Sequence, residues 1–245
     1  EEIDGPEVER EVIREQKDND IDGFIIYPAP GHETENMLKK ECGNKPYLLI
    51  ADSLAVKEGE TASPTIQPDH REIGRQLGEQ LKTKKQKIGI IADWKMSEAV
   101  QAEICGLNEA LEGSGSEISW CIYRRKEQNI TERMKEETKA DALVILDPGV
   151  LEEFGEQAEH GKYKGAELYG VGYNLKTVAL LDKGNIQGLV VPDGYEIGYK
   201  SVKEIAGKIE HKFYKMKGYT TEYQIFSKKD FSMDDDLERF LYSYE

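Results

Sequence analysis

A set of polar and aromatic residues stands just past the apolar runs of this sequence. Tyr27 follows GFII, Asp52 and Ser53 follow YLLIA, and Asp93 and Trp94 follow KIGIIA. Further along, Asp147 follows ALVIL, Tyr173 and Asn174 follow ELYGVG, and Asp193 follows GLVVP. Carboxylates and amides exchange hydrogen bonds with hydroxyl groups, and flat rings cover the apolar face of a sugar ring. The set therefore suits a polyol. Asp147 and Asp193 also precede helical patterns, where an Asp side chain accepts the free N–H groups of a first turn, so capping and ligand contact both stay open for them. Trp94 and Tyr173 carry a packing reading beside the binding one.

Catalytic patterns are missing. No GxSxG, P-loop or complete GxGxxG occurs, and GVGYNL stops at two glycines, with Leu175 where the third would fall. His32, His70, His160 and His211 are scattered, with no HExxH and no His/Cys pairing. We expect a binding protein with no catalytic residue, no metal and no cofactor.

The apolar runs that hold these residues alternate with helical patterns. Strand-like segments fall at 23–27, 47–51, 87–92, 118–123, 142–146, 167–172 and 188–191. Helix-like segments fall at 32–42, 69–83, 96–112, 130–139, 149–160, 175–183 and 194–214, after an opening helix that starts at Pro6. Near-continuous apolar strands alternating with helices indicate α/β architecture with parallel sheets covered on both faces. A closed eight-stranded barrel is the rival arrangement. It is disfavoured by the irregular stretch 52–69, which reads as a passage between two lobes. The tail TEYQIFSKKDFSMDDDLERFLYSYE adds a strand at 222–227 and a final helix with Leu237, Phe240 and Leu241 at helical spacing.

Composition sets outer bounds. The 245 residues carry a formal net charge of -15, from 33 Lys and Arg against 48 Asp and Glu. That balance opposes direct contact with a nucleic-acid backbone, which needs clustered cations in excess. No run of 18 apolar residues occurs, and EEIDGPEVER has no charged-then-apolar leader, so a soluble chain is expected, with any signal or anchor upstream. Cys42, Cys105 and Cys121 lack CxxC spacing and are expected to be buried free thiols.

The order of segments resembles the type I periplasmic binding proteins and the related cores of lactose-repressor-type regulators. DIDGFIIYPAPG is similar to that family's strand ending in a Pro/Gly turn. KPYLLIAD, IQPDHREIGRQLGEQL, KKQKIGIIAD, EICGLNEAL, DALVILDPG, LYGVGYN and KGNIQGLVVPDGYEIGYKSVKEI follow in the family's order. The likeness spans about residues 7–230. It implies two doubly wound lobes joined by a multi-strand hinge, with one lobe formed by 1–66 and 193–221 and the other by 67–192 and 222–245. Members begin with a further strand, helix and strand, so the natural chain is expected to be longer.

The resemblance also implies a function. Such proteins close over a small polar solute, here a sugar or related polyol, outside the carboxyl ends of their strands. They then engage a membrane permease of the ABC type or a signalling receptor, which places them outside the cytoplasm. The alternative is a cytoplasmic effector domain of a transcription regulator that touches DNA through a separate module. Asp52, Asp147 and Asn174 fall at positions that commonly contact ligand in sugar-binding members. Two positions depart from the pattern: Glu103 stands where an Arg is common, and Pro192 where a Gln is common. A carboxylate in place of a guanidinium makes the expected site more acidic, and a cationic solute becomes an option.

Overall fold

The computed structural model describes residues 5–29, 35–54, 56, 61–93, 97–124, 129–163 and 165–227. Trp94 and the expected final helix with Leu237, Phe240 and Leu241 lie outside the described residues. The chain divides into two compact units: Glu1–Asp69, Met96–Gln101 and Gly194–Thr221 form the first, and His70–Lys95, Ala102–Asp193 and Glu222–Glu245 the second.

The first unit contains α1 (Pro6–Lys17), β1 (Phe24–Ile26), α2 (Glu35–Cys42), β2 (Tyr47–Ile50), β3 (Thr65–Pro68), the opening of α4 (Glu98–Leu111), α8 (Gly194–Glu210) and β9 (Tyr219–Thr221). Its sheet runs β1-β2-β3-β9, all parallel, with Phe24 opposite Tyr47, Leu49 opposite Thr65 and Ile66 opposite Tyr219. Successive strand side chains point to opposite faces. Leu49 therefore joins Ile13, Met37 and Leu38 under α1 and α2, while Leu48 joins Ile66 and Ile205 under α8. Within the stretch 52–69, read from the sequence as irregular, TIQP forms the strand between β2 and β9. The three-residue β9 has no apolar run of its own and is held by pairing with β3.

The second unit contains α3 (His70–Leu81), β4 (Lys87–Ala92), most of α4, β5 (Glu117–Tyr123), α5 (Ile130–Met134), β6 (Ala142–Ile145), α6 (Pro148–Glu159), β7 (Glu167–Val171), α7 (Leu175–Asp182), β8 (Gly188–Pro192) and β10 (Tyr223–Ser227). Its sheet order is β10-β8-β7-β6-β4-β5, parallel except for the edge strand β10, which pairs antiparallel with β8. β6 and β8 are buried along their whole length, as expected of strands with helices on both faces. Phe154, Leu151 and Leu180 from the helical layer, with Ile186 from the α7–β8 turn, pack with Ile145, Leu168, Leu189 and Val191 in the main core.

Helices α3 and α4 meet backbone to backbone. A Cβ on Gly74 would lie 1.8 Å from the Glu103 carbonyl oxygen, and one on Gly106 would lie 1.8 Å from that of Arg71. The spaced glycines of IGRQLGEQL and EICGLNEAL thus set how closely these helices approach.

All three cysteines are free: Cys42 is buried and Cys121 half-buried, but Cys105 is exposed. This corrects the expectation that all three are buried. Cys105 sits on the outer face of α4, with its Sγ 3.7 Å from Glu109 Oε1.

Candidate functional site

In parallel sheets the strands all end on one side, where their loops diverge and helix N-termini present free N–H groups. The first unit carries Tyr27, Asp52 and Ser53 at such ends. Tyr27, directly after β1, is 60% exposed. Asp52 is buried at the end of β2, in a turn made by Ala51, whose φ of 61° is left-handed. That conformation costs a residue other than glycine about 1–2 kcal/mol, so the surroundings must enforce it.

Those surroundings are hydrogen bonds. Asp52 Oδ1 accepts the N–H groups of Ser53 at 2.7 Å and Ala99 at 2.8 Å, while Oδ2 accepts the Ser97 hydroxyl at 2.6 Å. Ser97 Oγ in turn accepts the Val100 N–H at 3.2 Å. Asp52 and Ser97 together satisfy donors that the start of α4 leaves open. Asp52 is thus a structural anchor, and a ligand hydroxyl would share an already engaged carboxylate.

In the second unit, Asp147 is the N-cap of α6, its Oδ1 accepting the Val150 N–H at 2.9 Å. Its Oδ2 is buried and lies 3.0 Å from Arg124 Nε without the alignment of a hydrogen bond. Arg124 Nε also donates to Asp93 Oδ1 at 3.2 Å. Asp93, Arg124 and Asp147 follow β4, β5 and β6, which are neighbours in the sheet in the order β6-β4-β5. The guanidinium therefore bridges two carboxylates across three strand ends. Sequence reasoning did not include Arg124, because it opens the charged run RRKEQ and reads as solvated surface. The usable signal was its position as the first residue past a strand, the criterion that singles out Asp93.

Asn174 is the N-cap of α7, with Oδ1 accepting the Thr177 N–H at 2.9 Å and Nδ2 donating to Glu152 Oε2 at 2.9 Å. Lys176 also binds Glu152, at 2.6 Å. Hydrogen bonds from Lys176 and then Asn174 hold the Glu152 carboxyl below the usual carboxylate range. The neighbouring Tyr173 is 51% exposed. Asp193 is half-buried past β8, and its N–H donates to the Glu222 carbonyl at 3.0 Å.

Glu103 lies along α4 and not at a strand end. Its buried carboxylate is 2.8 Å from Nδ1 of His70, which begins α3. Glu103 thus faces His70, and Asp93 and Asp147 face Arg124. Pro192 is buried opposite Tyr223 at the end of the β8–β10 ladder. The structure thus gathers Tyr27, Asp52 and Ser53 in one unit, and Asp147, Tyr173, Asn174 and Asp193 at strand ends of the other. Among the described residues no group of three or more His, Cys, Asp or Glu is placed to hold a metal ion, and no helix is long and apolar enough to cross a membrane.

Comparison with known proteins places this architecture. A carbohydrate transporter solute-binding protein from Agrobacterium radiobacter, solved with D-arabinose, superposes with a TM-score of 0.79 at 17% identity, over 96% of this chain and 83% of its own. The Caulobacter myo-inositol binding protein, bound to myo-inositol, gives 0.74 at 13% identity, over 95% and 83%. XylFII in its complex with LytSN gives 0.70 at 14% identity, over 90% and 81%. These chains share the fold, that of type I periplasmic binding proteins. No curated protein matches the sequence. The family model described as the periplasmic binding protein domain matches residues 4–212, and the chain accordingly belongs to the periplasmic binding protein family.

Proposed function

We propose that this chain is an extracytoplasmic solute-binding protein that takes a sugar or related polyol at the carboxyl ends of its strands and closes over it. It acts by binding and not by catalysis. The observation that carries this reading is the arrangement of the strand ends in the second unit. There an ion-paired guanidinium and carboxylates stand beside the capping amide of Asn174 and the exposed ring of Tyr173. Donors, acceptors and a flat apolar surface together are what a polyol requires. Tyr27 and Asp52 supply the same kinds of group at the strand ends of the first unit. The D-arabinose and myo-inositol complexes of proteins with this fold support a polyol over other solutes.

The partner we propose is a membrane protein, either an ABC permease or a signalling receptor, that recognises the ligand-closed form. The pairing of XylFII with LytSN supports coupling to a second protein.

The test is a thermal-shift series against D-galactose, D-glucose, D-arabinose, myo-inositol, amino acids and spermidine. A ligand at a hundred times its dissociation constant adds about 2.7 kcal/mol. In a chain of this length that corresponds to roughly 5–10 °C. A shift of this size with a sugar or inositol supports the reading. A shift only with an amino acid or polyamine, or with nothing in the series, overturns the polyol assignment.

A further inference from the structure

In the second unit the acids that follow β4 and β6 share one cation, which follows β5. β5 ends at Tyr123, and the ladder continues one residue further, because the Arg124 N–H donates to the Ala92 carbonyl at 2.8 Å. The backbone of Arg124 is thereby fixed beside the end of β4. Its side chain then meets Asp93 and Asp147, which the same sheet carries on either side of it in sequence and within reach of one Nε. The three groups differ in exposure: the side chain of Asp147 is 5% exposed, that of Asp93 32% and that of Arg124 42%. Of the acid–guanidinium–acid group, the cation is the most accessible member. Asp147 Oδ2, 3.0 Å from Arg124 Nε, is a buried acceptor with no hydrogen bond.

We infer that Arg124 is a specificity-determining residue for the solute: anchored by Asp93 and Asp147, it presents a guanidinium at the strand ends, favouring neutral polyols and rejecting amines. The inference rests on the reading that ligand binds at these strand ends. A guanidinium presents N–H donors in a fixed plane, matching two oxygens on adjacent carbons of a sugar or inositol. Asp93 beside it accepts the proton of a hydroxyl held there. An ammonium group has three donors and no lone pair, so it cannot accept from the guanidinium, and the like charge beside Asp93 offsets the attraction of that carboxylate. The sequence alone left a cationic solute as an option beside the expected polyol, because it shows the acids without their partner.

The experiment is calorimetric titration of the full chain with matched pairs, D-galactose against D-galactosamine and D-glucose against D-glucosamine, with D-arabinose and myo-inositol added. It is run on the wild type, Arg124→Gln and Arg124→Lys. We expect the wild type to bind a neutral member at least tenfold more tightly than an amino sugar. Arg124→Gln is expected to weaken neutral binding at least tenfold and to shift the amino-to-neutral ratio at least tenfold toward the amine. Arg124→Lys keeps the charge without the fork, so it is expected to retain rejection of the amine while losing neutral affinity.

A wild type that prefers the amino sugar overturns the inference without touching solute binding, and needs no variant to be folded. Neutral affinity within twofold of wild type in Arg124→Gln also overturns it. So does an equal loss for neutral and amino sugars, which marks Arg124 as structural only. Absence of binding by every sugar and inositol to the wild type brings down the functional reading itself.

Discussion

Asp52 accepts the Ser97 hydroxyl at 2.6 Å, so a residue at the end of β2 fixes the first turn of a helix more than forty positions further along the chain. The contact unites two roles in one carboxylate, since Asp52 is both a candidate ligand group and the cap of α4. Asp52→Ala leaves the Ser97 hydroxyl and Ala99 N–H without their acceptor, which is expected to cost about 2–3 kcal/mol. Ser97→Ala, which removes one bond and one cap, is expected to cost about 1 kcal/mol. Urea unfolding of both single variants and the double variant checks this. The double variant should be less destabilised than the sum by more than about 0.5 kcal/mol, and strict additivity would show the pair to be uncoupled.

Glu103→Gln separates the two readings of that residue. With its carboxylate turned to His70, the change is expected to lower stability by about 1 kcal/mol through the lost charge-assisted bond. It should leave affinity for a confirmed sugar within threefold of wild type. A loss of tenfold or more in titration calorimetry would return Glu103 to the binding site.

The pH dependence of stability is expected to include a contribution from Glu204. This buried residue of α8 accepts the Lys217 N–H at 2.8 Å, the Tyr219 hydroxyl at 2.9 Å and the Tyr214 hydroxyl at 3.0 Å. Burial by itself would raise its pKa, but these three donors prevail and hold it below the ordinary value of 4.5. A carboxyl with a depressed folded-state pKa contributes fully above its unfolded value and loses that contribution as pH falls through the folded one. Urea midpoints of the wild type should therefore drop faster below pH 4.5 than those of Glu204→Gln. Parallel curves would show that the network contributes nothing to the acid limb.

Gly106→Ala places a methyl group 1.8 Å from the Arg71 carbonyl oxygen, a backbone atom that yields only if α3 and α4 separate. Overpacking of this kind costs about 3 kcal/mol. A thermal midpoint within 2 °C of wild type, roughly the effect of less than 1 kcal/mol at this length, would contradict the close crossing.

Thiol reactivity should follow burial. The Cys42 thiol is pushed up to about 12, mainly by burial and then by Glu9 and Glu41, and burial likewise raises Cys121. Since the thiolate is the reactive form, the exposed Cys105 should react with a disulfide reagent first in native protein. Cys42 should react only on unfolding. Mass spectrometry of the labelled peptides distinguishes the three, and early labelling of Cys42 would contradict its burial at the end of α2.

The sequence by itself determined the architecture, because alternation of apolar strands with amphipathic helices is local and repeated. ALVIL and GLVV read as strands buried on both faces, and ELYGVG, with Asn174 two residues on, as a strand that ends just before a helix. It also determined which residues stand past strand ends, a matter of counting along the chain. Tertiary structure decided what those residues meet. β3 and β9 become strands through their pairing in one sheet, which no apolar periodicity of YTT foretells. Asp52 finds Ser97, Glu103 finds His70, and Asp93 and Asp147 find Arg124, because helices and strand ends distant in sequence are brought within hydrogen-bonding reach. The charge of a carboxylate is local information. Whether that charge is presented to a ligand or neutralised depends on its neighbours in space, and sequence order does not encode them.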